Sequence, residues 1–388
     1  MVQPPGVTFT VRLPSCVLPV AVLLWSFPIC PREGVTRVLL IRCIPFCTVV
    51  MPHPPVAIFH SLLAVCLITL AANTWSHGDA VDKVRRQPLS AATTDAPRSD
   101  LAQAERIPFV DAHVHLNSLP MQLDLMQRWG ASQAVVFWGG RSSNESVTEG
   151  ARLHPGRLIP FASISPERTA YRPHWEGDSK ALLQQLDDML ATGLFKGIGE
   201  ISAVHFPSAG FAETDFGVIG PMMTGIMELA RKHKVPVMVH VESTRMADLE
   251  QLLQRFPDVP VIWAHGGYTP LFLARRMLDR YPNLYYELSA RTWALHPRSP
   301  DYTILRDGVR VWPEWLALIE SMPARFMVGT DASHRSAASD EMKYASVQSF
   351  LAQLKPGARE QVASGTLLRL VGIDPVVAAP LQRPASTP

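Results

Sequence analysis

From residue 107 onward, short apolar runs alternate along the chain with longer amphipathic segments. The short runs predict strands, and apolar side chains at positions i, i+3 and i+4 predict helices between them. The predicted strands cover residues 109–116, 134–138, 158–164, 197–201, 235–241, 259–264, 284–288 and 325–329. The predicted helices cover residues 121–129, 179–192, 220–234, 245–256, 270–281, 312–322 and 340–354, with a weaker one at 145–154.

Strands that alternate with helices predict an α/β fold with a parallel sheet. Eight such strands are the number that closes a (β/α)8 TIM barrel, and residues 107–355 match its usual size of about 250 residues. An open, doubly wound sheet is the alternative, but no glycine-rich phosphate loop follows a strand. A last amphipathic segment, residues 358–371, is expected to pack under the barrel.

The first hundred residues have a different composition. All five cysteines lie at or before Cys66, so the predicted barrel contains neither disulfides nor thiolate sites. Met51 precedes an apolar run over residues 56–72 and then a polar stretch, which resembles a secretory signal peptide cleaved near residues 72–80. The alternative is an uncleaved membrane anchor, although 17 residues is at the lower limit for a span. We therefore expect an exported protein, periplasmic or secreted.

These observations divide the chain into five segments. Residues 1–50 are expected to be an unstructured extension or a misassigned start, with translation beginning at Met51. Residues 51–78 are the signal peptide or anchor, and residues 79–106 are a polar linker. Residues 107–374 form the barrel with its last helix, and residues 375–388 are a disordered tail.

Polar residues end five of the predicted strands. Strand alternation places His113 and His115 on one face, and active sites of these barrels lie at the carboxyl ends of the strands. Four imidazoles and two carboxylates should therefore converge, contributed by His113, His115, Glu200, His240, His265 and Asp331. Imidazole and carboxylate ligands suit Zn²⁺, Mn²⁺, Fe²⁺ or Ni²⁺, and burial of so many titratable groups without a metal is costly.

These motifs resemble the amidohydrolase superfamily over residues 107–373, and most closely its amidohydrolase-2 branch of aminocarboxymuconate-semialdehyde-type decarboxylases and lactone hydrolases. The resemblance rests on Val-Asp-Ala-His-Val-His, the fifth-strand histidine, His-Gly-Gly and Gly-Thr-Asp. It implies one divalent metal, most readily zinc, on four ligands: His113, His115, His240 and Asp331. It also implies that His265 is a base or electrophile beside that metal, or binds a second ion.

Glu200 departs from this pattern. Gly199-Glu200-Ile201 resembles TatD-like nucleases, in which a fourth-strand glutamate is a metal ligand. Glu200 could therefore bridge two ions, with His240 and His265 on the second. With one ion it would instead orient a ligand. We favour one ion on the sequence alone, with Glu200 near it.

This chemistry predicts a hydrolase of an ester, lactone or amide bond in a small substrate that can carry a carboxylate. Asp331 would take a proton from the attacking water, and His265 would polarise the substrate carbonyl. The alternatives are a non-oxidative decarboxylase, a TatD-like phosphodiesterase and a non-catalytic binding protein. Substrate contacts are expected from loop residues, namely Trp138, Arg141, Tyr268, Arg291, Trp293 and His334.

The charge pattern limits the partners. The formal net charge is +2, and no basic run is interleaved with aromatic residues, so no nucleic-acid partner is expected. The protein is expected to contact a membrane only through an uncleaved amino-terminal anchor. A homo-oligomer is left open.

Overall fold

The computed structural model of the 388-residue chain describes residues 106–166, 171–207, 213–294 and 303–374, and two short strands before them. The chain divides into two units, residues 1–92 and 93–388. In the first unit, β1 (Thr8–Leu13) pairs antiparallel with β2 (Cys16–Ala21), within the segment expected to be unstructured. The predicted signal peptide, linker and tail lie outside the described residues.

The second unit is built on a parallel sheet. Its strands are β3 (Phe109–Leu116), β4 (Ala131–Trp138), β5 (Leu158–Ala162), β6 (Gly197–His205), β8 (Val237–Val241), β9 (Val261–Trp263), β10 (Leu284–Glu287) and β11 (Phe326–Met327). A two-residue strand, β7 (Thr214–Asp215), pairs antiparallel with the end of β6. The eight parallel strands neighbour one another in the order β11-β10-β9-β8-β6-β5-β4-β3.

The two edge strands of this sheet approach each other and nearly close it. The Ala112 amide donates to the Val328 carbonyl at 2.9 Å, and the Asp331 amide donates to the His113 carbonyl at 2.8 Å. A parallel bridge joins Val114 to Ala332 just beyond β11. The predicted TIM barrel is therefore confirmed.

Helices cover the outside of the barrel. They are α1 (Leu119–Trp129), α2 (Asn144–Leu153), α3 (Arg172–Glu176), α4 (Lys180–Ala191), α5 (Pro221–His233), α6 (Met246–Arg255), α7 (Leu271–Arg280), α8 (Pro313–Ser321), α9 (Ala337–Leu351), α10 (Pro356–Glu360) and α11 (Thr366–Leu370). Side-chain caps set some of the starts: α1 begins two residues before its predicted start because Ser118 accepts the Met121 amide at its amino terminus. In the described part of the chain, no helix has the length and apolarity needed to cross a membrane.

The barrel interior is apolar at its amino end. Side chains from six strands fill it, and the last helical segment closes it from below with Leu367, Leu368 and Val371. This is the packing that the amphipathic pattern of residues 358–371 predicts. Polar side chains can therefore gather only at the opposite, carboxyl end of the strands.

An irregularity in β3 aims its histidines into the barrel. Val110 and Ala112 belong to the interior cluster, so simple alternation would turn His113 and His115 outward. The pairing register with β4 shifts between Asp111 and Val114, which changes which residues face the interior. Beyond the shift, Val114 and Leu116 pack in the outer core, and both histidines face the carboxyl-end cluster.

The carboxylate of Asp111 joins β3 to the segment that follows β11. It is fully buried and accepts hydrogen bonds from the Thr330 amide at 2.9 Å and the Thr330 hydroxyl at 2.7 Å, and from the His113 amide at 3.2 Å. Burial raises the pKa of Asp111 to about 6, although these donors oppose the rise. Asp111 therefore holds β3 against the segment that carries Thr330 and Asp331.

We expect Asp111→Ala to lower the free energy of unfolding by about 2–4 kcal/mol, because it leaves buried donors without their acceptor. Asp111→Asn keeps one acceptor oxygen and should cost less. Asp124→Ala removes an exposed carboxylate paired with Arg128, so its change should stay within about 0.5 kcal/mol. Urea unfolding measures all three variants; equal losses for Asp111→Ala and Asp124→Ala would contradict the assignment.

Candidate metal centre

The six polar strand-end residues meet in one cluster at the carboxyl end of the barrel. His113 is fully buried, Glu200, His240 and His265 are almost so, and the side chains of His115 and Asp331 are 20% and 23% exposed. The cluster therefore has one solvent-facing edge, formed by His115 and Asp331.

Four side chains surround one point. Glu200 Oε2 lies 3.4 Å from His113 Nε2 and 3.2 Å from His115 Nε2. Asp331 Oδ1 lies 3.6 Å and 3.3 Å from the same two nitrogens. Each carboxylate therefore lies close to both imidazole nitrogens, and His113, His115 and Glu200 form a group that could hold a metal ion.

The other oxygen of Glu200 faces a second pair of imidazoles. Glu200 Oε1 lies 3.0 Å from His240 Nδ1 and 3.7 Å from His265 Nε2. Glu200 is therefore placed between two groups of histidines, one on each oxygen. The family resemblance implied that His240 binds the first ion together with His113, His115 and Asp331. In the structure His240 lies in the second group, and Glu200 stands beside the other three residues in its place.

The donor set fits a divalent metal ion. Tetrahedral ligands about 2.1 Å from an ion are about 3.4 Å apart, close to the separations around Glu200 Oε2. His113 Nε2 is buried, faces this centre and has no hydrogen-bond partner among the described residues. A buried ring nitrogen of this kind is costly unless a ligand satisfies it.

Opposite charges keep the two carboxylates ionised. Burial alone would raise the pKa of Glu200, but the charge of His113 and hydrogen bonds from the surrounding histidines hold it well below its usual value. Burial would likewise raise the pKa of Asp331, and the charge of Lys343 with those of the histidines lowers it. Burial lowers the pKa of His240, but hydrogen bonds to Glu200 and Glu242 outweigh it and raise the value to about 9.

Glu287 orients the first histidine from behind. Its Oε2 lies 3.2 Å from His113 Nδ1 and accepts the His265 amide at 3.1 Å, while Ser289 donates through its hydroxyl at 2.7 Å and, to Oε1, through its amide at 2.6 Å. A carboxylate on one ring nitrogen directs the other towards a metal. Sequence reasoning missed Glu287, although it is the last residue of β10.

The His-Gly-Gly motif forms an unusual turn after β9. His265, Gly266, Gly267 and Tyr268 all have φ between 51° and 55°, the left-handed region that favours glycine. A Cβ atom at Gly266 would lie 1.7 Å from the Tyr286 ring, and one at Gly267 would lie 2.4 Å from the Val241 carbonyl. Both glycines are therefore required, and the strained turn places the His265 ring in the cluster.

Hydrogen bonding fixes which nitrogen of His265 carries the proton. Nδ1 lies 3.1 Å from the Ser289 carbonyl, which can only accept, so Nδ1 is the donor. Burial and the charges of His240 and His113 lower the pKa of His265 to about 4, so the ring is neutral at pH 7. Its Nε2 lone pair faces Glu200, an orientation that suits a metal ligand or a base, two of the roles expected for His265.

The residues expected to contact substrate differ in where their side chains lie. Tyr268 stacks on His265 with ring centroids 5.3 Å apart, and therefore lines the site. Trp138 packs edge-on against Tyr171, and Arg141 is exposed on the loop after β4. Arg291 is a correction: it is buried, and its guanidinium donates to the carbonyls of His265 and Thr269 and to the Tyr286 hydroxyl, so it binds protein rather than substrate.

Trp293 and His334 were also expected to contact substrate, but their side chains form hydrogen bonds with loop residues. The Trp293 indole donates to the Thr330 carbonyl at 3.2 Å. His334 Nδ1 accepts the Asn117 and Ser118 amides at 3.1 Å and 3.2 Å, and Nε2 lies 3.0 Å from Gln122 Oε1. Since both ring nitrogens of His334 are engaged, this histidine joins the loops after β3 and β11.

Two other charged groups at the site were not foreseen from the sequence. Lys343, on α9, is buried, donates to the Asp331 carbonyl and lies 4.5 Å from the centre of the Trp293 ring. Glu242 is fully buried beside His240, with its Oε1 3.3 Å from Nε2. Lys343 therefore holds the backbone of Asp331, and Glu242 holds the outer side of the His240 ring.

A parallel barrel with a buried histidine and carboxylate cluster at the carboxyl ends of its strands defines a class of metal-site barrel proteins. A profile of the family described as amidohydrolase matches residues 110–373, and the chain belongs to this family. The family is one of metal-dependent enzymes, and the cluster is a candidate metal site within it. The resemblance stated from the motifs is thereby confirmed.

Solved structures share the fold. An uncharacterised TIM-barrel protein from Bordetella bronchiseptica aligns with a TM-score of 0.51 at 16% identity, over 69% of this chain and 99% of that chain. A 2,6-dihydroxybenzoate decarboxylase from Rhizobium aligns at 0.43 and 13% identity, over 68% and 98%. A probable 2-pyrone-4,6-dicarboxylic acid hydrolase from Acinetobacter baumannii aligns at 0.43 and 11%, over 69% and 100%. A search of curated proteins gives no significant match.

His334 should make stability depend on pH. Burial and the charges of Lys343 and His115 lower its pKa to about 4, against an unfolded value of about 6.5. Between these values the unfolded chain binds a proton that the folded chain does not, so stability falls as the pH is lowered. Relative to His334→Gln, the wild-type protein should lose about 2 kcal/mol more between pH 7 and pH 5.

Urea unfolding of both proteins at the two pH values measures this difference. The other titrating groups are common to both proteins and cancel. Parallel losses in the two proteins would contradict the neutral, buried state of His334.

Proposed function

We propose that the protein is a metal-dependent hydrolase that cleaves an ester, lactone or amide bond of a small substrate. The observation that carries this proposal is the shared position of Glu200 Oε2, Asp331 Oδ1 and the Nε2 atoms of His113 and His115 around one centre. Asp331 is ionised and is the carboxylate of this group that reaches solvent, so it is placed to act on a water molecule.

The four-ligand group is proposed as the principal metal position. Zn²⁺ suits two imidazoles and two carboxylates, as does Mn²⁺. Glu200 Oε1, His240 Nδ1 and His265 Nε2 offer a second position with three ligands. We propose that this position binds its ion more weakly, because it has one ligand fewer and must displace the hydrogen bond between Glu200 and His240.

The chain's own groups then carry the proton transfers. A divalent ion at the principal position would supply Lewis acidity and lower the pKa of a water molecule. Asp331 accepts the proton of the attacking water and returns it to the leaving group. Lys343 keeps Asp331 ionised and holds its backbone, and Glu287 keeps the His113 ring in place. Tyr268 and His265 form a stacked wall on one side of the site.

Non-oxidative decarboxylation is the second candidate. The same ligands could hold a carboxylated substrate. A cavity lined by two arginines is formed in part by Asn117 and Ser333, each two residues after a member of the cluster. Decarboxylation needs no attacking water at the outset, so Asp331 would serve only to protonate the product. The two reactions therefore differ in what they release.

The reaction is tested on zinc- and manganese-loaded protein with panels of carboxylated esters, lactones, amides and aromatic carboxylates. We expect acid release without CO₂, and loss of more than about 100-fold in kcat for Asp331→Asn, since general acid–base groups contribute about 10²–10⁴-fold. Glu314→Gln, an exposed change on α8, is the control. CO₂ release that depends on the metal would contradict hydrolysis and favour the decarboxylase.

Metal titration tests the ligand assignment. We expect the wild-type protein to bind one ion tightly and a second at higher metal concentration. Glu200→Ala should weaken the first ion by more than about 100-fold, since even partners behind the ligands are worth about 10–100-fold. His240→Ala should abolish the second ion and leave the first bound.

Elemental analysis and calorimetric metal titration give the stoichiometry and affinity of each variant. The opposite pattern, in which His240→Ala removes the tight ion and Glu200→Ala retains it, would contradict the assignment. It would restore the ligand set inferred from the family resemblance.

A further inference from the structure

We infer that the cavity beside the candidate metal centre is a subsite for an oxyanion of the substrate, a carboxylate or a phosphoryl group. The cavity has a volume of about 260 Å³ and is lined by Asn117, Gly140, Arg141, Ser333, His334 and Arg335. The inference rests on the proposed function, because it assigns part of the substrate of the same site.

The cavity adjoins the metal centre through the chain itself. Asn117 follows His115 by two residues, and Ser333 follows Asp331 by two residues. Two residues span at most about 7 Å, so the Cα atoms of these two lining residues lie within about 7 Å of those of His115 and Asp331, which form the solvent-facing edge of the cluster. A small substrate can therefore place its reacting bond at the cluster and a second group in the cavity.

A frame of hydrogen bonds through Asn117 links the loops that carry the two arginines. The Asn117 side chain accepts the Arg141 amide at 2.6 Å and donates to the Ser333 carbonyl at 2.8 Å. A Cβ atom at Gly139 would lie 2.4–2.5 Å from the Asn117 side chain, so the glycine gives this side chain its room. Asn117 thus fixes the loops after β3, β4 and β11 to one another.

The lining carries positive charge without a matching acid. Arg141 and Arg335 are exposed, and neither forms an ion pair with any carboxylate of the described segments. The other lining residues are uncharged at pH 7; His334 is neutral because burial lowers its pKa. Other exposed arginines do form ion pairs with a carboxylate, for example Arg152 with Glu149 and Arg231 with Asp258.

Two guanidinium groups on a fixed frame select a planar or tetrahedral oxyanion. Each can donate two parallel hydrogen bonds to a carboxylate or phosphoryl group. A cation at this position would be repelled, and an apolar group would find no apolar side chain among the lining residues. The substrate class is therefore a compound whose scissile acyl bond lies a few bonds from an anionic group.

Paired substrates test this subsite in the metal-loaded protein. The p-nitrophenyl monoester of glutarate carries a free carboxylate, and p-nitrophenyl butyrate is a neutral analogue of similar length. In Arg141→Gln/Arg335→Gln we expect KM for the charged ester to rise at least about tenfold with kcat within about twofold, and the neutral ester to be unaffected. Arg255→Gln, an exposed change at the end of α6, is the matched control.

Calorimetric binding of glutarate and of inorganic phosphate gives a readout that does not depend on catalysis. Any contact of these anions with the metal is common to wild-type and variant protein, so the difference isolates the arginines. We expect the variant to bind at least one anion about tenfold more weakly, and the anion affected identifies a carboxylate or phosphoryl subsite.

Equal affinities in wild type, Arg141→Gln/Arg335→Gln and Arg255→Gln would overturn the inference, as would the absence of binding to all three. Failure of the proposed hydrolysis would look different, because neither ester would turn over while the binding difference remained.

Discussion

The contact between the buried carboxylate of Glu200 and the imidazoles on both of its oxygens is the interaction on which the site depends. A nearly buried carboxylate is costly, and only the charges and hydrogen bonds of the surrounding histidines keep it ionised. In turn, the negative charge of Glu200 stabilises positive charge on the imidazoles around it. Removal of Glu200 would leave His113 with Glu287 and Asp331, His115 with Asp331 alone, and His240 with Glu242 alone.

The barrel builds this contact by local departures from regular structure. A register shift in β3 turns His113 and His115 inward, and a left-handed turn after β9 brings in the His265 ring. Asp331 also has a positive φ of 53°, and its carbonyl is held by Lys343. Backbone strain at several residues persists only where the surrounding structure holds those residues in place. Here the buried hydrogen bonds of Asp111, Glu287 and Lys343 hold them.

The fold and the membership of the cluster were accessible from the sequence because they depend on periodicity and on strand ends. The strand Phe109–Leu116 has its predicted bounds. Five of the six predicted polar residues fall into candidate metal groups, and Asp331 contacts two of them, His113 and His115. The distribution of ligands within the cluster was not accessible, because it depends on side-chain direction. His240 points its Nδ1 at Glu200, and neither that direction nor the irregularity in β3 can be derived from the alternation of residues.

Residues that act through others were harder to foresee. Lys343 lies on α9, twelve positions after Asp331, and only packing brings its ammonium group to the Asp331 carbonyl. Arg291 shows the reverse error: a loop arginine near the site was expected to bind an anion, yet the three groups that accept its protons belong to the protein. For Arg291, position along the chain predicted proximity to the site but not the direction of the side chain; for Lys343 it predicted neither.

A crystal structure of the metal-loaded protein, with anomalous diffraction recorded at the absorption edge of the bound element, tests the central claim most directly. We expect an anomalous peak about 2.0–2.2 Å from Glu200 Oε2, Asp331 Oδ1 and the Nε2 atoms of His113 and His115. A principal peak bound by His113, His115, His240 and Asp331, with both oxygens of Glu200 beyond coordination distance, would contradict it.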